Sequence, residues 1–123
     1  MPPFSPEVFD YYPPLTKVRN HFQSNIIHHM SLSAAANLAG YETKYFSAYF
    51  RHKVGIGFRE WATRMRVCAA VERMQRENQT ITELALAVGF RDVTTFERAF
   101  KKHTGHTPSY FKKHREKRLK NRE

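Results

Sequence analysis

Hydrophobic residues recur at helical spacing along most of the chain. Leu15, Val18, Phe22 and Ile26 step by three and four residues, which predicts a helix over about residues 16–29. Ser31 is placed to cap a short helix over residues 32–38, and Gly40 can end it by taking the left-handed conformation. Thr43 is placed to cap a third helix over residues 44–53, with Phe46, Tyr49 and Phe50 inward. Residues 58–77 contain no Gly or Pro and carry two apolar stripes, one of Phe58, Trp61, Met65 and Cys68, the other of Val67, Val71 and Met74. Two stripes on one long helix predict a connector packed against both halves of the chain. The pattern then restarts. Thr80-x-x-Glu83 reads as a capping box, Ile81, Leu84, Ala85 and Val88 form one face, and Gly89 closes the helix. Asp92 is placed to cap the next helix, whose stripe is Phe96, Ala99 and Phe100. Thr107-Pro108 reads as an N-cap followed by Pro at the first helical position, with Tyr110 and Phe111 inward. The expectation is an all-α protein of seven helices and no strand.

The restart is a repeat. Residues 38–57 read LAGYETKYFSAYFRHKVGIG, and residues 87–107 read AVGFRDVTTFERAFKKHTGHT. Each copy has Gly and an aromatic, a polar stretch, Phe-x3-Phe, a basic run and a closing Gly. Gly40 and Gly89 are 49 residues apart, whereas Phe46 and Phe96 are 50 apart, so the second copy carries one extra residue in its turn. The divisions that follow are a Pro-rich arm (1–14), a first subdomain (15–57), a connector helix (58–77), a second subdomain (78–111) and a basic tail (112–123). The arm holds five of the six prolines and reads as extended, with Phe4, Phe9, Tyr11 and Tyr12 available to dock on the domain or to lie free.

Charge narrows the partners. The formal net charge is +10 on 123 residues, with 14% aromatics, a balance that favours polyanions, nucleic acid before anionic membrane. The tail contributes Lys112, Lys113, Arg115, Lys117, Arg118, Lys120 and Arg122 against Glu116 and Glu123, and reads as a disordered basic segment or a phosphate contact. With Leu119 its only apolar residue, it lacks the face needed to lie in a membrane. The single cysteine, Cys68, excludes an internal disulfide framework and suits a reducing cytoplasm; on its apolar stripe it reads as a buried thiol. The start lacks the basic and apolar regions of a signal peptide, and no apolar run approaches the length of a membrane span.

Helix, glycine turn, helix is the plan in which the second helix enters the major groove of DNA. Phe46/Phe50 and Phe96/Phe100 pin one face of each second helix. The opposite faces carry Lys44, Ser47, Ala48 and Arg51 in the first copy, and Val93, Thr94, Glu97, Arg98, Lys101 and Lys102 in the second. One such pair of helices reads equally well as a solvated surface; two of matched spacing on a basic chain favour DNA.

The stretch ITELALAVGFRDVTTFERAFKKHTGHTPSYF resembles the second half of the DNA-binding domain of the AraC/XylS regulators of bacterial transcription. Ile81, Ala85, Val88-Gly89-Phe90, Phe96, Arg98, Phe100-Lys101, Gly105, Thr107-Pro108 and Phe111 carry the resemblance, which extends over about residues 15–111, with Arg66 and Ala70 matching in the connector. It implies two helix-turn-helix units joined by a long helix, binding successive major grooves of double-stranded DNA. By position, the base-reading candidates are Lys44, Ser47 and Ala48 in the first unit, and Val93, Thr94, Glu97 and Arg98 in the second. Tyr45, Arg51, Lys53, Arg59, Lys101 and Lys102 are the phosphate candidates, joined by backbone N–H groups at the starts of the recognition helices. The first unit departs from the family pattern at Phe58, where the second has Pro108, at Ala48, and in its alanine-rich helix Ser33-Ala34-Ala35-Ala36. It is therefore expected to anchor more and read less. RNA polymerase is a further partner that the resemblance admits, and one chain is expected to occupy two grooves without a second subunit.

Other chemistry is weakly supported. His28-His29 and His103/His106 lack the cysteines or carboxylates that would complete a zinc site. The chain has no nucleophile–base grouping, P-loop or paired carboxylates, so neither an enzyme, a cofactor nor a small-molecule site is expected. Two alternatives stay open: a nucleic-acid binder (DNA or RNA) without a defined operator, and an interaction module that retains the fold.

Overall fold

The structure, a computed structural model, describes residues 4–121, with side chains described as far as His114. Pro2, Pro3, Arg122 and Glu123 lie outside the described residues, as do the side chains of the tail from Arg115 onward. Among the described residues there are eight helices and no strand: α1 (Val8–Tyr11), α2 (Pro13–Ser24), α3 (Leu32–Ala39), α4 (Thr43–Val54), α5 (Phe58–Arg76), α6 (Ile81–Ala87), α7 (Val93–Thr104) and α8 (Pro108–Asn121). The chain divides into two compact units, Met1–Thr63 and Arg64–Glu123, with α5 running through the division. No helix among the described residues is long and apolar enough to cross a membrane.

Unit one is held by aromatic rings. Phe9, Phe22, Phe46, Phe50, Phe58 and Trp61 are all buried. Phe9 stacks on Trp61 with centroids 5.0 Å apart and meets Phe50 edge-on at 5.9 Å. Such offset and edge contacts add to the large apolar area that each ring removes from water. Phe9 is therefore part of this core, and residues 8–11 and 13–14 are helical rather than an extended arm. Tyr12 resolves the proline problem. It takes the extended conformation (φ −104°, ψ 112°) that the residue before a proline prefers, and Pro13 and Pro14 then occupy the first turn of α2, where a missing N–H costs nothing. A backbone bond from Ser5 N to Val54 O (2.9 Å) ties the segment to the end of α4.

Two further boundaries differ from the periodicity. The first long helix stops at Ser24 rather than near His29, because Asn25 leaves helical geometry (φ −131°, ψ 36°) and its side chain donates back to His21 O at 2.9 Å. Ile26, at the spacing of the buried face, falls beyond that stop and is half-buried. Thr43 is the first residue of α4 rather than its cap; Glu42 holds the cap position and makes no side-chain cap bond.

Unit two is built on Val67, Ala70, Met74, Leu84, Ala85, Val88, Phe90, Phe96 and Phe100, with Phe111 packed against them. The expected caps are in place. Thr80 and Glu83 form the reciprocal box, Asp92 Oδ1 accepts from Thr95 N at 2.7 Å, and Thr107 Oγ1 accepts from Tyr110 N at 3.2 Å. Cys68 is exposed, contrary to its apparent stripe, because the buried positions in this half of α5 are Arg66, Val67, Ala70 and Met74. Partial burial, followed by Glu72, pushes its thiol up from its ordinary value. Tyr110 points outward (40% exposed) and stacks between His106 at 4.0 Å and His114 at 3.8 Å, leaving Phe111 to pack on Phe100 at 5.2 Å. The basic tail is not an irregular segment as far as Asn121: its backbone continues α8.

One buried polar contact organises this unit. Arg66, 8% exposed, donates from Nη1 to Val88 O at 2.8 Å. Burial lowers the guanidinium from its ordinary value, although the group stays cationic. Replacing Arg66 with Met should lower the stability of unit two by about 1–3 kcal/mol, since a buried carbonyl loses a charged donor; urea denaturation of the full chain followed by circular dichroism reads the change. A second expectation concerns pH. Bonds from Thr95 hold the Asp92 carboxyl below the usual carboxylate range. A depressed folded value means that this cap stabilises fully above the unfolded value, and that the gain is lost as pH falls through the folded one. Asp92→Asn keeps an accepting oxygen but does not titrate. Between about pH 5 and 2 its melting temperature should therefore fall less steeply than that of the wild type; parallel curves would show that the cap does not contribute.

Candidate nucleic-acid interface

Both units make their turn in the same way. α3 ends with Gly40 N donating to Asn37 O (3.1 Å) and Tyr41 N to Ala36 O (3.0 Å); α6 ends with Gly89 N to Leu86 O (3.1 Å) and Phe90 N to Ala85 O (3.0 Å). This paired closure requires a left-handed residue, and Gly40 (φ 82°) and Gly89 (φ 96°) supply it. Unit two then spends one more residue before its second helix begins at Val93, as the offset between the copies requires.

The second helices, α4 and α7, each bury two phenylalanines completely and turn a polar arc outward. On α4, Phe46, Phe50 and Val54 face the core, while Lys44, Ser47, Ala48 and Arg51 are exposed. Beside that arc lies a tyrosine strip. Tyr45, 56% exposed, sits 5.0 Å from Tyr41 and 6.2 Å from Tyr49. Burial first, then Tyr41, Tyr12 and Tyr45, raises the Tyr49 hydroxyl above its ordinary value, so it remains a neutral donor. Lys53 departs from a free phosphate clamp: it is half-buried, with Nζ 4.8 Å above the centroid of the Tyr12 ring. Arg59, in the first turn of α5, is exposed.

On α7, Phe96 and Phe100 are fully buried, and Thr94, Arg98, Lys101 and Lys102 are exposed. Val93 and Glu97 are half-buried on the edges of the arc. Among the described residues Glu97 forms no ion pair, so neither Arg98 nor Lys101 takes up its charge. Arg98 does lie close enough to Asp92 to help hold that carboxyl down, after the stronger effect of Thr95. The two helix starts differ chemically. At α7 the Asp92 carboxylate already accepts from the Thr95 N–H and puts a negative charge there, whereas no side chain caps the start of α4. At the start of α7 the Asp92 carboxylate thus occupies the Thr95 N–H that a phosphate would need. Lys101, Lys102 and His103 place positive charge in the last turn of α7, and Arg51, His52 and Lys53 do so in α4, where the helix dipole favours cations.

The sequence pattern did not single out Arg91. It is exposed in the turn just before Asp92, and nothing in its spacing marks it, because turn residues have no periodicity. Arg66 was visible as a matching residue but not as a donor, since its partner lies 22 residues away.

Comparison with known proteins gives this geometry a family. A profile described as a helix-turn-helix domain matches residues 26–114. The transcription factor PqrA of Proteus vulgaris, named as probable, is 30% identical over 83 residues, covering 68% of each chain. The HTH-type transcriptional regulator RipA of Corynebacterium glutamicum is 34% identical over 88 residues. That match covers 72% of this chain but only 26% of RipA. Among solved structures, the DNA-binding domain of the global transcriptional factor AdpA, crystallised with a target DNA, superposes with a TM-score of 0.81 at 21% identity, covering 85% of this chain and 95% of that one. At that identity the likeness concerns the fold. The repeated turn, the paired recognition helices and the match across residues 26–114 together establish that the chain belongs to the helix-turn-helix domain family, of the AraC type.

Proposed function

We propose that this protein is a sequence-specific regulator of transcription that binds double-stranded DNA, inserting α4 and α7 into successive major grooves. The observation that carries the reading is the outward arc of each second helix: its opposite face is locked by fully buried phenylalanines, and the arc is made of short polar and cationic side chains. Arg98 is suited to donate two bonds to guanine O6 and N7, Glu97 to accept from cytosine N4, and Val93 or the Thr94 methyl to meet a thymine methyl. An uncompensated Glu97 beside a phosphate backbone is unfavourable, which supports a base contact for it. Arg51, Arg59, Lys101 and Lys102, with Tyr45, are assigned to phosphates. Lys53, half-buried over the Tyr12 ring, is a weaker phosphate candidate than these.

In this reading unit two supplies most of the specificity. Unit one, with Lys44, Ser47 and the truncated Ala48 on its arc, supplies more of the anchoring. A single chain carries both helices, so binding as a monomer is part of the proposal, as are RNA polymerase as a second partner and the cytoplasmic nucleoid as the place of action. The name of PqrA, a probable transcription factor, and the target DNA crystallised with the AdpA domain support the regulator reading.

In vitro selection from random duplexes, followed by gel-shift titration in salt, tests the proposal. A regulator should lose affinity steeply with salt yet retain a preference of about a thousandfold or more for its selected site over random duplex. A preference of only a few-fold for every selected sequence would instead establish a general nucleic-acid binder. Arg98→Ala should cost about 1–3 kcal/mol of binding and relax preference at one base pair, whereas Lys102→Ala should weaken all sequences alike. Equal, sequence-blind losses from both would show that the reading face is misassigned.

A further inference from the structure

Tyr45, Tyr49 and Lys53 follow one another at intervals of four, so they form one row along α4, between its buried face and its outward arc. Two more rings lie against this row. Tyr41, in the turn before α4, is 5.1 Å from Tyr49, and Tyr12, just before α2, meets Tyr49 edge-on at 6.3 Å. Tyr45 is exposed, and Tyr12, Tyr41 and Tyr49 are half-buried, so the cluster is open to solvent along one side. Its hydroxyls converge as well. Those of Tyr41 and Tyr49 share a hydrogen bond, and those of Tyr12 and Tyr45 are near enough to act on the charge state of Tyr49. Two bonded hydroxyls use one proton between them and keep the other as a donor. Unit two has no such flank. With Phe96 set on Phe46, its row reads Thr95, Ala99 and His103, and the residue after the turn glycine is Phe90, which is buried.

We propose that the bonded hydroxyl pair of Tyr41 and Tyr49 is a phosphate-binding site of unit one, through which uncharged donors hold the DNA backbone beside the cations of α4. The proposal rests on the reading that α4 enters a major groove. That groove is about 12 Å wide and has a sugar–phosphate strand along each side. With the outward arc turned to the bases, the tyrosine row runs beside one of those strands. A phosphate oxygen only accepts, which suits the donor that the pair keeps. The consequence is thermodynamic. A lysine or arginine that meets a phosphate releases a condensed counterion, so its contribution falls as salt rises; a hydroxyl releases none. Part of the anchoring by unit one is therefore insensitive to salt, whereas the outward cations of unit two, Arg98, Lys101 and Lys102, have no tyrosine flank beside them.

The test compares the full-length wild type with the double variant Tyr41→Phe/Tyr49→Phe, with Arg51→Ala and with Lys44→Ala, on random and selected duplexes across a salt series. The double variant keeps both rings and removes both hydroxyls together, so no polar partner is stranded and the melting temperature should hold. Its binding should weaken by about threefold to tenfold, the scale of one net hydrogen bond, by the same factor on both duplexes and at every salt concentration. Arg51→Ala should instead lower the salt slope by about 1. Wild-type affinity in the double variant overturns the proposal. So does a loss confined to the selected duplex, which would make the hydroxyls base readers, a change in salt slope, or a fall in melting temperature that makes the pair structural. If Arg51→Ala and Lys44→Ala both bind as the wild type does, α4 does not meet DNA, and the groove reading of unit one fails and takes the proposal with it. If the wild type binds no duplex at all, the failure is that of the DNA-binding reading itself.

Discussion

The hydrogen bond from Arg66 to Val88 O is the constraint on which unit two turns. Val88 is the residue at which α6 gives up its helical pattern, and Gly89 follows in the left-handed conformation. A carbonyl at such a point needs a donor if it is buried, and a long side chain from another element can supply one. Arg66 comes from α5 and brings a charge into the core to do it. Burying a guanidinium is unfavourable by itself, as its lowered protonation affinity records. The arrangement persists because the charge is bonded to the Val88 carbonyl. Once the turn is fixed in this way, the direction in which α7 leaves it is fixed too, and with it the orientation of Arg98, Lys101 and Lys102.

Unit one reaches the same turn by other means. Its glycine closure matches bond for bond, but the Glu42 side chain does not cap, and the core is a set of rings centred on Trp61. Ring packing is broad and tolerant, whereas a hydrogen bond from a buried arginine is directional. The two units thus differ less in shape than in what enforces the shape. The difference parallels the proposed division of roles between their outward faces: the unit with the stricter turn carries the side chains proposed to read base edges.

The features that the sequence makes legible are those with short-range causes. The capping box at Thr80 and Glu83, the Asp92 cap, the glycine closures and the Phe-x3-Phe stripes all act within one helix or one turn, and the structure has them where the spacing puts them. Phe58 in place of Pro108 makes no difference to where α5 starts, because the position requires only a residue that tolerates the first helical turn. What escapes the sequence depends on contacts between distant positions. Pro13-Pro14 reads as a helix breaker until it is known that Tyr12 is extended and that Phe9 has Trp61 to stack on. Lys53 looks like an exposed cation until Tyr12 lies beneath it. Cys68 and Tyr110 show a third kind of miss. Each lies near an apolar stripe, and helical periodicity alone places a residue on a face only to within a quarter turn or so. The roles of the outward residues are legible only as a family resemblance and as chemistry, because an exposed arc looks the same in the folded chain whether or not a groove receives it.

The Phe9–Trp61 stack has a consequence for where this fold can be cut. The family profile begins at residue 26, yet Phe9, Leu15, Val18 and Phe22 are each at most 2% exposed, and Ser5 is bonded to the end of α4. A polypeptide trimmed to the family borders would keep both glycine turns and both second helices. It would also uncover one side of Trp61 and Phe50, leaving a broad aromatic surface next to the helix meant for DNA. The smallest autonomous piece of this protein is therefore longer than its recognisable motif, and the extra length acts as an internal lid for the core of unit one.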